Sequence, residues 1–547
     1  MSSPRGTSSR STPETTMTRS VKAPKIPRAY VSLLALVALA AVTLCFRLGS
    51  LPFVGADEPR YARVAEEMHA AGRWVTPLLQ NRPWLEKPPL YYWITIPFVA
   101  VLGPGETAAR LGPVLSGLAA LLATLWLGRR LFGPEAGFYA ALILATSVGF
   151  VAFGRSASTD MPLAACLTVA LSLLGAAAVE PTFPRLGVAL ACVFLGLAVL
   201  AKGPVALVVA AGAAALFWWL DEREGTLARW RLPLGVPILA VVALPWFVLV
   251  LREQGFAFIA VFFVNHHLAR FVSDLHHHSE PFYYYAPVLL GLLIPWSGWL
   301  PLVLPAKLWP LKQANPAVLW LVCWAAFPLL FFSFSGSKLP GYILPSLPPL
   351  ALLLGHRFAE GATPRAAAWS FLALSATVSL GLPIFFNTTC GMDWRSCSLI
   401  ALALAAPSVL AFLAARRGRV RQAVWLTALG GVLVVVAVAG LAFPAFGVRY
   451  STRDIARLTL QQRATGEPIV TYRFFHHTLH YYTGYQVAAP PPFPRRGPRR
   501  RGPRTRSARR FLRRRARPSG KPGGRARGAS LTGSISLPRV DLGRTPG

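Results

Sequence analysis

Asp57 and Glu58 stand side by side in the segment Gly55-Ala56-Asp57-Glu58-Pro59-Arg60-Tyr61-Ala62, shortly after an apolar run. Acids at the edge of a membrane are costly to hold there and so mark candidate functional sites. A solvated loop that opens an amphipathic helix at Pro59 is the alternative reading of the same dipeptide. A third acid, Asp160, lies in Gly154-Arg155-Ser156-Ala157-Ser158-Thr159-Asp160-Met161-Pro162, between two further apolar runs. Two such carboxylates in an acid-poor chain can share a polar acceptor, bind a cation, or divide the roles of base and orienter.

Cations flank these acids. Arg60 follows the first pair, Lys87 follows Glu86 before two prolines, Lys202 ends a long apolar run, and Arg270 and Lys338 lie in later polar stretches. Arginine binds phosphate bidentately and lysine binds it as a point charge. Taken singly, each is also explained as an anchor that snorkels to the headgroups. His266-His267 and His276-His277-His278 share one polar stretch. Two or three of these imidazoles with Glu86 could hold Zn²⁺, and a polar interfacial loop is the plainer reading. Cys390 and Cys397 share a short stretch in which a disulfide is plausible in an oxidising compartment.

The elements that must position these groups are membrane spans. Of 547 residues, 54% are hydrophobic and only 14% charged, whereas a soluble chain carries about 25% charged residues. Six cysteines are too few for a disulfide framework. The formal charge of +35 suggests nucleic acid until it is located: 18 Lys/Arg against Asp541 alone fall between Gln486 and Gly547. Most of the remainder sits in short loops, where basic residues report membrane orientation. The fold class is therefore an α-helical polytopic membrane protein, and no nucleic-acid partner is expected.

A span needs about 20 apolar residues. The runs are Tyr30–Phe46, Leu111–Leu127, Gly137–Phe153, Met161–Val179, Leu186–Ala201, Val205–Leu220 and Leu232–Leu251. They continue with Tyr283–Leu304, Ala317–Phe334, Tyr342–Gly355, Ala366–Phe386, Ser398–Ala415 and Ala423–Phe443, about thirteen in all. The basic arm 1–29, Ser/Thr/Pro-rich and expected to be disordered, puts the N-terminus in the cytoplasm. Threading thirteen spans then brings Arg129/Arg130, Arg223/Arg229/Arg231, Lys307/Lys312, Arg357/Arg365 and the arginines of 416–421 to that same side. Were Pro88–Gly103 also a span, every later basic loop would flip. It is therefore read as an outer-face interfacial helix with Tyr91, Tyr92 and Trp93 at headgroup depth. Residues 30–445 form the membrane domain, with 49–103 as its first outer loop, and 446–485 begin an outer soluble region that is truncated or aberrant. Residues 486–547 are Pro/Arg/Gly-rich and read as a disordered tail or the product of a shifted frame.

Four segments in order carry a resemblance: Asp57-Glu58-Pro59-Arg60-Tyr61, the stretch Trp84–Trp93, Arg155–Pro162, and Lys338-Leu339-Pro340-Gly341-Tyr342-Ile343-Leu344-Pro345. Together they resemble the bacterial lipid A aminoarabinose transferases and related polyprenyl-phosphate-sugar glycosyltransferases of the GT-C fold. The resemblance runs from about Tyr30 to Tyr485. It implies a GT-C architecture and transfer of aminoarabinose, or a related pentose or hexose, from undecaprenyl phosphate to lipid A or another envelope acceptor. It implies an inner-membrane location, a periplasmic active site and a monomer among membrane lipids. By the same resemblance Asp57 is the catalytic aspartate, with Glu58 beside it and Asp160 the second acidic position. Arg60, Lys87, Lys202, Arg270 and Lys338 bind substrate phosphate, and Tyr342 is an active-site tyrosine. Glu86, His266 and His267 form a site for a divalent metal, Zn or Mg/Mn. No nucleotide cofactor is expected, because a polyprenyl phosphate is already a good leaving group. A protein O-glycosyltransferase of the same fold and an anionic-lipid flippase are the alternatives; a flippase would place charge at the bilayer midplane, often within inverted repeats.

Overall fold

The computed structural model describes residues 28–263, 280–303, 315–464, 466–471 and 476–488. The arm 1–27, the tail beyond 488, and His266, His267, Arg270 and His276–His278 lie outside the described residues. The first apolar run forms α1 (Arg28–Cys45). After it come α2 (Asp57–Ala70), a short antiparallel ribbon pairing Leu78–Leu79 with Arg82–Pro83, and α3 (Leu90–Leu102). α4 (Glu106–Phe132) carries Glu106 in its first turn and Arg129 and Arg130 in its last, the signs that the helix dipole favours at each end. α5 (Pro134–Thr146), α6 (Val148–Gly154), α7 (Asp160–Val179), α8 (Arg185–Lys202) and α9 (Val205–Leu220) follow. Further long helices are Leu232–Gln254, Pro316–Ser333, Arg365–Cys390, Trp394–Arg416 and Val420–Ala437.

Helices occupy the predicted runs, but the count of thirteen spans is not reproduced. Among the described residues eight helices are long and apolar enough to cross a membrane, or ten if each of two bent pairs is one span. The apolar part of α1 (Leu33–Cys45) and α9 are shorter. Two expected spans are broken. α5 meets α6 at 66°, and Phe282–Leu292 meets Trp296–Leu302 at 112°. A broken helix inside a bilayer must find new partners for its freed polar groups. Here the two breaks serve each other: the Val148 amide donates to the Ile294 carbonyl at 2.8 Å, and Trp296 Nε1 donates to Thr146 Oγ1 at 2.9 Å. The bend redirects α6, so that Arg155 at its end reaches back to α1.

Among the described residues, several of the basic residues that charge bias assigned to a common side gather at one end. Arg130 pairs with Glu180 at 2.7 Å, and Arg223 and Arg229 both donate to the Ala178 carbonyl. Arg129, Glu135 and Arg421 line one small cavity there. Arg110, near the start of α4, is separated from Arg129 by about 28 Å of helix at 1.5 Å per residue, and Glu58 of the first loop pairs with it.

α3 is helical as expected, but its two tyrosines face the protein interior. Tyr91 and Tyr92 are fully buried, their rings packed against Tyr61 of α2, and Tyr91 Oη donates to the Ala109 carbonyl at 2.8 Å. Clamping between α2 and α4 turns these rings into the protein interior. Cys390 and Cys397 are buried in one apolar cluster as free thiols, so the disulfide is not formed.

The described residues after the last long helix belong to the same compact unit. They comprise helices Phe443–Tyr450, Arg453–Gln462 and His477–Tyr482 and a parallel pairing of Ile469–Val470 with Val487–Ala488. This segment docks on the first loop. Tyr481 Oη donates to Glu66 at 2.6 Å, and Tyr482 Oη accepts from the Phe53 amide while donating to Glu106, both at 2.7 Å.

Candidate functional site

A cavity of about 830 Å³ opens at the acidic end of the bundle. Its floor and walls come from the start of α2, the start of α4, the α6–α7 connection, and an apolar face of Val434, Val435, Val438 and Phe443. Of the residues singled out in the sequence, Asp57, Glu58, Arg60, Glu86, Lys87 and Asp160 all line it.

The adjacent acids Asp57 and Glu58 have opposite surroundings. Asp57 occupies the first turn of α2, and its side chain is 57% exposed and paired with Arg60. Arg60 donates through Nε to the Ala56 carbonyl at 3.0 Å, and its guanidinium lies over the Trp84 ring, 5.4 Å from the centroid. Glu58 points inward. Its Oε1 accepts from Arg110 Nε at 3.0 Å and from the Ala157 amide at 2.9 Å, while Oε2 accepts from Arg110 Nη2 at 2.8 Å. Arg110, 2% exposed, also donates to the carbonyls of Leu48 and Leu51. Both Glu58 oxygens are thus committed to tying α2, α4 and the α6–α7 connection together, which leaves Asp57 as the acid presented to the cavity.

Asp160 starts α7 and pairs with Lys202, the last residue of α8. Lys202 Nζ also lies 5.0 Å from the centroid of the Tyr342 ring. Gly341 permits this packing: a Cβ there would stand 3.0 Å from the Asp160 carboxyl carbon. Lys202 and Tyr342 therefore sit behind Asp160 on one side of the cavity. Lys338 is placed otherwise than the sequence suggested. Its ammonium is buried and donates to the carbonyls of Glu280 and Ser335, both at 2.8 Å, so it braces the 335–342 segment. Lys87 Nζ donates to the Glu86 carbonyl at 3.3 Å.

Among the described residues no group of three His, Cys, Asp or Glu is arranged to hold a metal. Glu86 lines the cavity, and its expected partners His266 and His267, like Arg270, are outside the described residues.

Four further groups at the site were not singled out from sequence. Arg110 and Arg155 line the cavity, as does Tyr61, whose hydroxyl burial and the neighbouring Asp57 keep protonated. His477, from the docked C-terminal segment, lies within electrostatic reach of both Arg60 and Asp57. Burial first and Arg60 second hold its pKa down to about 4, so its imidazole is neutral at neutral pH. An arginine five residues into an apolar helix was a legible signal for Arg110; nothing local marked His477.

Helices long and apolar enough to cross a membrane, with acids and cations gathered around a cavity at one end, define a polytopic membrane protein with an enzyme-like cavity, as the resemblance to GT-C glycosyltransferases implied. The comparisons agree. A family profile described as dolichyl-phosphate-mannose-protein mannosyltransferase matches residues 86–248. An undecaprenyl phosphate-α-4-amino-4-deoxy-L-arabinose arabinosyl transferase of Pseudomonas fluorescens is 30% identical over 401 residues, 71% of this chain and 69% of the relative. Another, from Edwardsiella ictaluri, is 34% identical over 306 residues, 54% of each chain; the chain spans about half the length of several such relatives. The crystal structure of ArnT from Cupriavidus metallidurans bound to undecaprenyl phosphate superposes with a TM-score of 0.71 at 26% identity, covering 84% of this chain and 86% of that one. The chain belongs to the undecaprenyl phosphate-aminoarabinose arabinosyl transferase family and is a multi-pass membrane protein.

Proposed function

We propose that this protein transfers aminoarabinose, or a closely related sugar, from undecaprenyl phosphate to lipid A or another anionic envelope acceptor. The reading places the N-terminus in the cytoplasm and the cavity on the periplasmic face of the inner membrane, with the chain acting as a monomer. The observation that carries it is that Asp57 and Asp160, 103 positions apart in the chain, line one cavity together with Arg60, Lys87 and Arg155. The relatives' names supply the donor chemistry.

In this reading Asp57 is the catalytic carboxylate. Toward a hydroxyl acceptor it takes the proton as the glycosidic bond forms; toward a phosphate acceptor, already ionised at neutral pH, it orients the attacking oxygen. Either way the sugar is displaced once, with inversion, from the polyprenyl phosphate. An oxocarbenium-like centre gains from a nearby carboxylate. Fixed cations aimed at the departing phosphate stabilise its growing charge, a role assigned to Lys87, Lys202 and Arg270. Asp160 positions Lys202, and the Tyr342 ring, 5.0 Å away, supports the same ammonium. Glu58 and Lys338 are positioning residues. A divalent ion held by Glu86, His266 and His267 remains part of the proposal on the resemblance alone, and no step is routed through it. Residues 446–485 are proposed to be the start of the outer soluble region, here docked on the first loop.

The test is glycosyl transfer by purified protein supplied with undecaprenyl phosphate-aminoarabinose and lipid A. Asp57→Asn should lower the rate at least ~100-fold while size-exclusion profile and tryptophan fluorescence stay unchanged. Persisting transfer would falsify the role of Asp57, and transfer absent from the unmodified protein would remove the enzymatic reading.

A further inference from the structure

Three acids of the cavity form ion pairs with cations. Asp57 pairs with Arg60, and Glu58 with Arg110. Asp160 pairs with Lys202 from just behind the wall, and Glu86 stands next to Lys87. Arg155 is left over. It lines the cavity and is 8% exposed, and among the described residues no carboxylate pairs with it. A buried charge without a counter-charge is expensive and is retained where a ligand supplies the missing sign.

The guanidinium is held at a fixed angle. Nη1 donates to the Thr43 carbonyl at 2.9 Å and Nη2 to the Phe46 carbonyl at 2.6 Å, at the end of α1, and the Phe443 ring lies 5.6 Å from the guanidinium carbon. Arginine carries five N–H donors in a rigid fork, so two carbonyls leave donors over. Lys202 and Tyr342 stand on the side of Asp160, with α8 and the 340–346 segment. Arg155 stands on the side of α1, beside the apolar face of Val434, Val435, Val438 and Phe443. Arg155 is thus apart from the Asp160–Lys202 pair, and its place in the cavity lining adjoins a hydrocarbon-like wall.

We infer that Arg155 seats a phosphate oxyanion of an amphiphile whose apolar part lies along the wall of Val434, Val438 and Phe443. This inference deepens the reading of the protein as a transferase between two lipids, which needs two such seats. The phosphate has two possible sources, the polyprenyl donor or the acceptor lipid.

The experiment is equilibrium binding to the purified full chain in nanodiscs, which requires no turnover. The probes are undecaprenyl phosphate, bis-phosphorylated lipid A and enzymatically dephosphorylated lipid A. Arg155→Gln keeps donors for the α1 carbonyls and removes the charge; Arg155→Lys keeps the charge and removes the fork. A tenfold or greater weakening of bis-phosphorylated lipid A in Arg155→Gln, with dephosphorylated lipid A unchanged and partial recovery in Arg155→Lys, assigns the seat to the acceptor. The same weakening confined to undecaprenyl phosphate assigns it to the donor. Unchanged affinity for both phosphorylated probes overturns the inference. So does equal weakening of all three probes with a lowered unfolding temperature, which would leave Arg155 only as a cap on α1. Loss of transfer in the unmodified protein with these binding shifts intact would reject the enzymatic reading and spare the seat.

Discussion

α4 carries an arginine–glutamate pair near each of its ends, and the two pairs are built differently. At the cavity end Arg110 is 2% exposed and fills a pocket of carbonyls and one carboxylate; at the other end Arg130 is 38% exposed and meets Glu180 at the surface. A buried ion pair is held at a desolvation cost and fails badly when halved, whereas an exposed pair contributes little. The difference shows where the molecule invests in geometry. The first loop must be fixed to the bundle for Asp57 to be presented, and the opposite end needs only to be charged.

Substitutions can break or sharpen that contrast. The largest effect is expected at the buried pair: Arg110→Ala strands Glu58 and should cost about 3–5 kcal/mol, read as a fall in unfolding midpoint with loss of transfer. Next, Asp160→Asn releases Lys202 from its ion pair. Transfer should fall on the order of 100-fold, as expected for a misplaced group in a reacting constellation, with the unfolding midpoint nearly unchanged; an equal fall in stability would make the Asp160–Lys202 pair a second Arg110–Glu58.

Glu66 sharpens the comparison through pH. Burial raises its carboxyl from 4.5 to about 6 despite the hydrogen bond from Tyr481 and the nearby Arg63. The folded state therefore binds the proton more tightly than the unfolded one. The resulting stabilisation, about 2 kcal/mol at 1.36 kcal/mol per pKa unit, is complete below pH 4.5 and lost as pH rises through about 6. Protection factors for hydrogen exchange over residues 477–485, referred to the intrinsic rate at each pH, should be larger at pH 5 than at pH 7.5, and Glu66→Gln should abolish that difference. The smallest effect belongs to Arg130→Ala, under about 1 kcal/mol; a larger loss in the same unfolding assay would contradict the contrast between the ends.

The helical membrane fold was legible because apolar runs recur along the chain; Asp57 and Asp160 were expected on one face and do line one cavity, although the thirteen-span count behind that expectation is not reproduced. The sorting of Asp57 from Glu58 was not legible, since it depends on Arg110, 52 residues further along, choosing one of two neighbours. The break between α5 and α6 was hidden inside an unbroken apolar run, and the Ile294 carbonyl and Trp296 indole from a distant segment make it tolerable. Tyr91 and Tyr92 have the composition of a headgroup belt, and burial against Tyr61 came from tertiary packing. Lys338 carried the right charge in the right motif, but two carbonyls take up its ammonium.

The position of Lys202 as the final residue of α8, ahead of Gly203 at φ +86°, makes helix length part of the chemistry. Each residue of an α-helix turns the next by about 100°. Adding or deleting one residue anywhere within α8 would swing this ammonium away from Asp160 and Tyr342, although composition and hydrophobicity would hardly change. A relative that preserves the arrangement must therefore keep the spacing across α8.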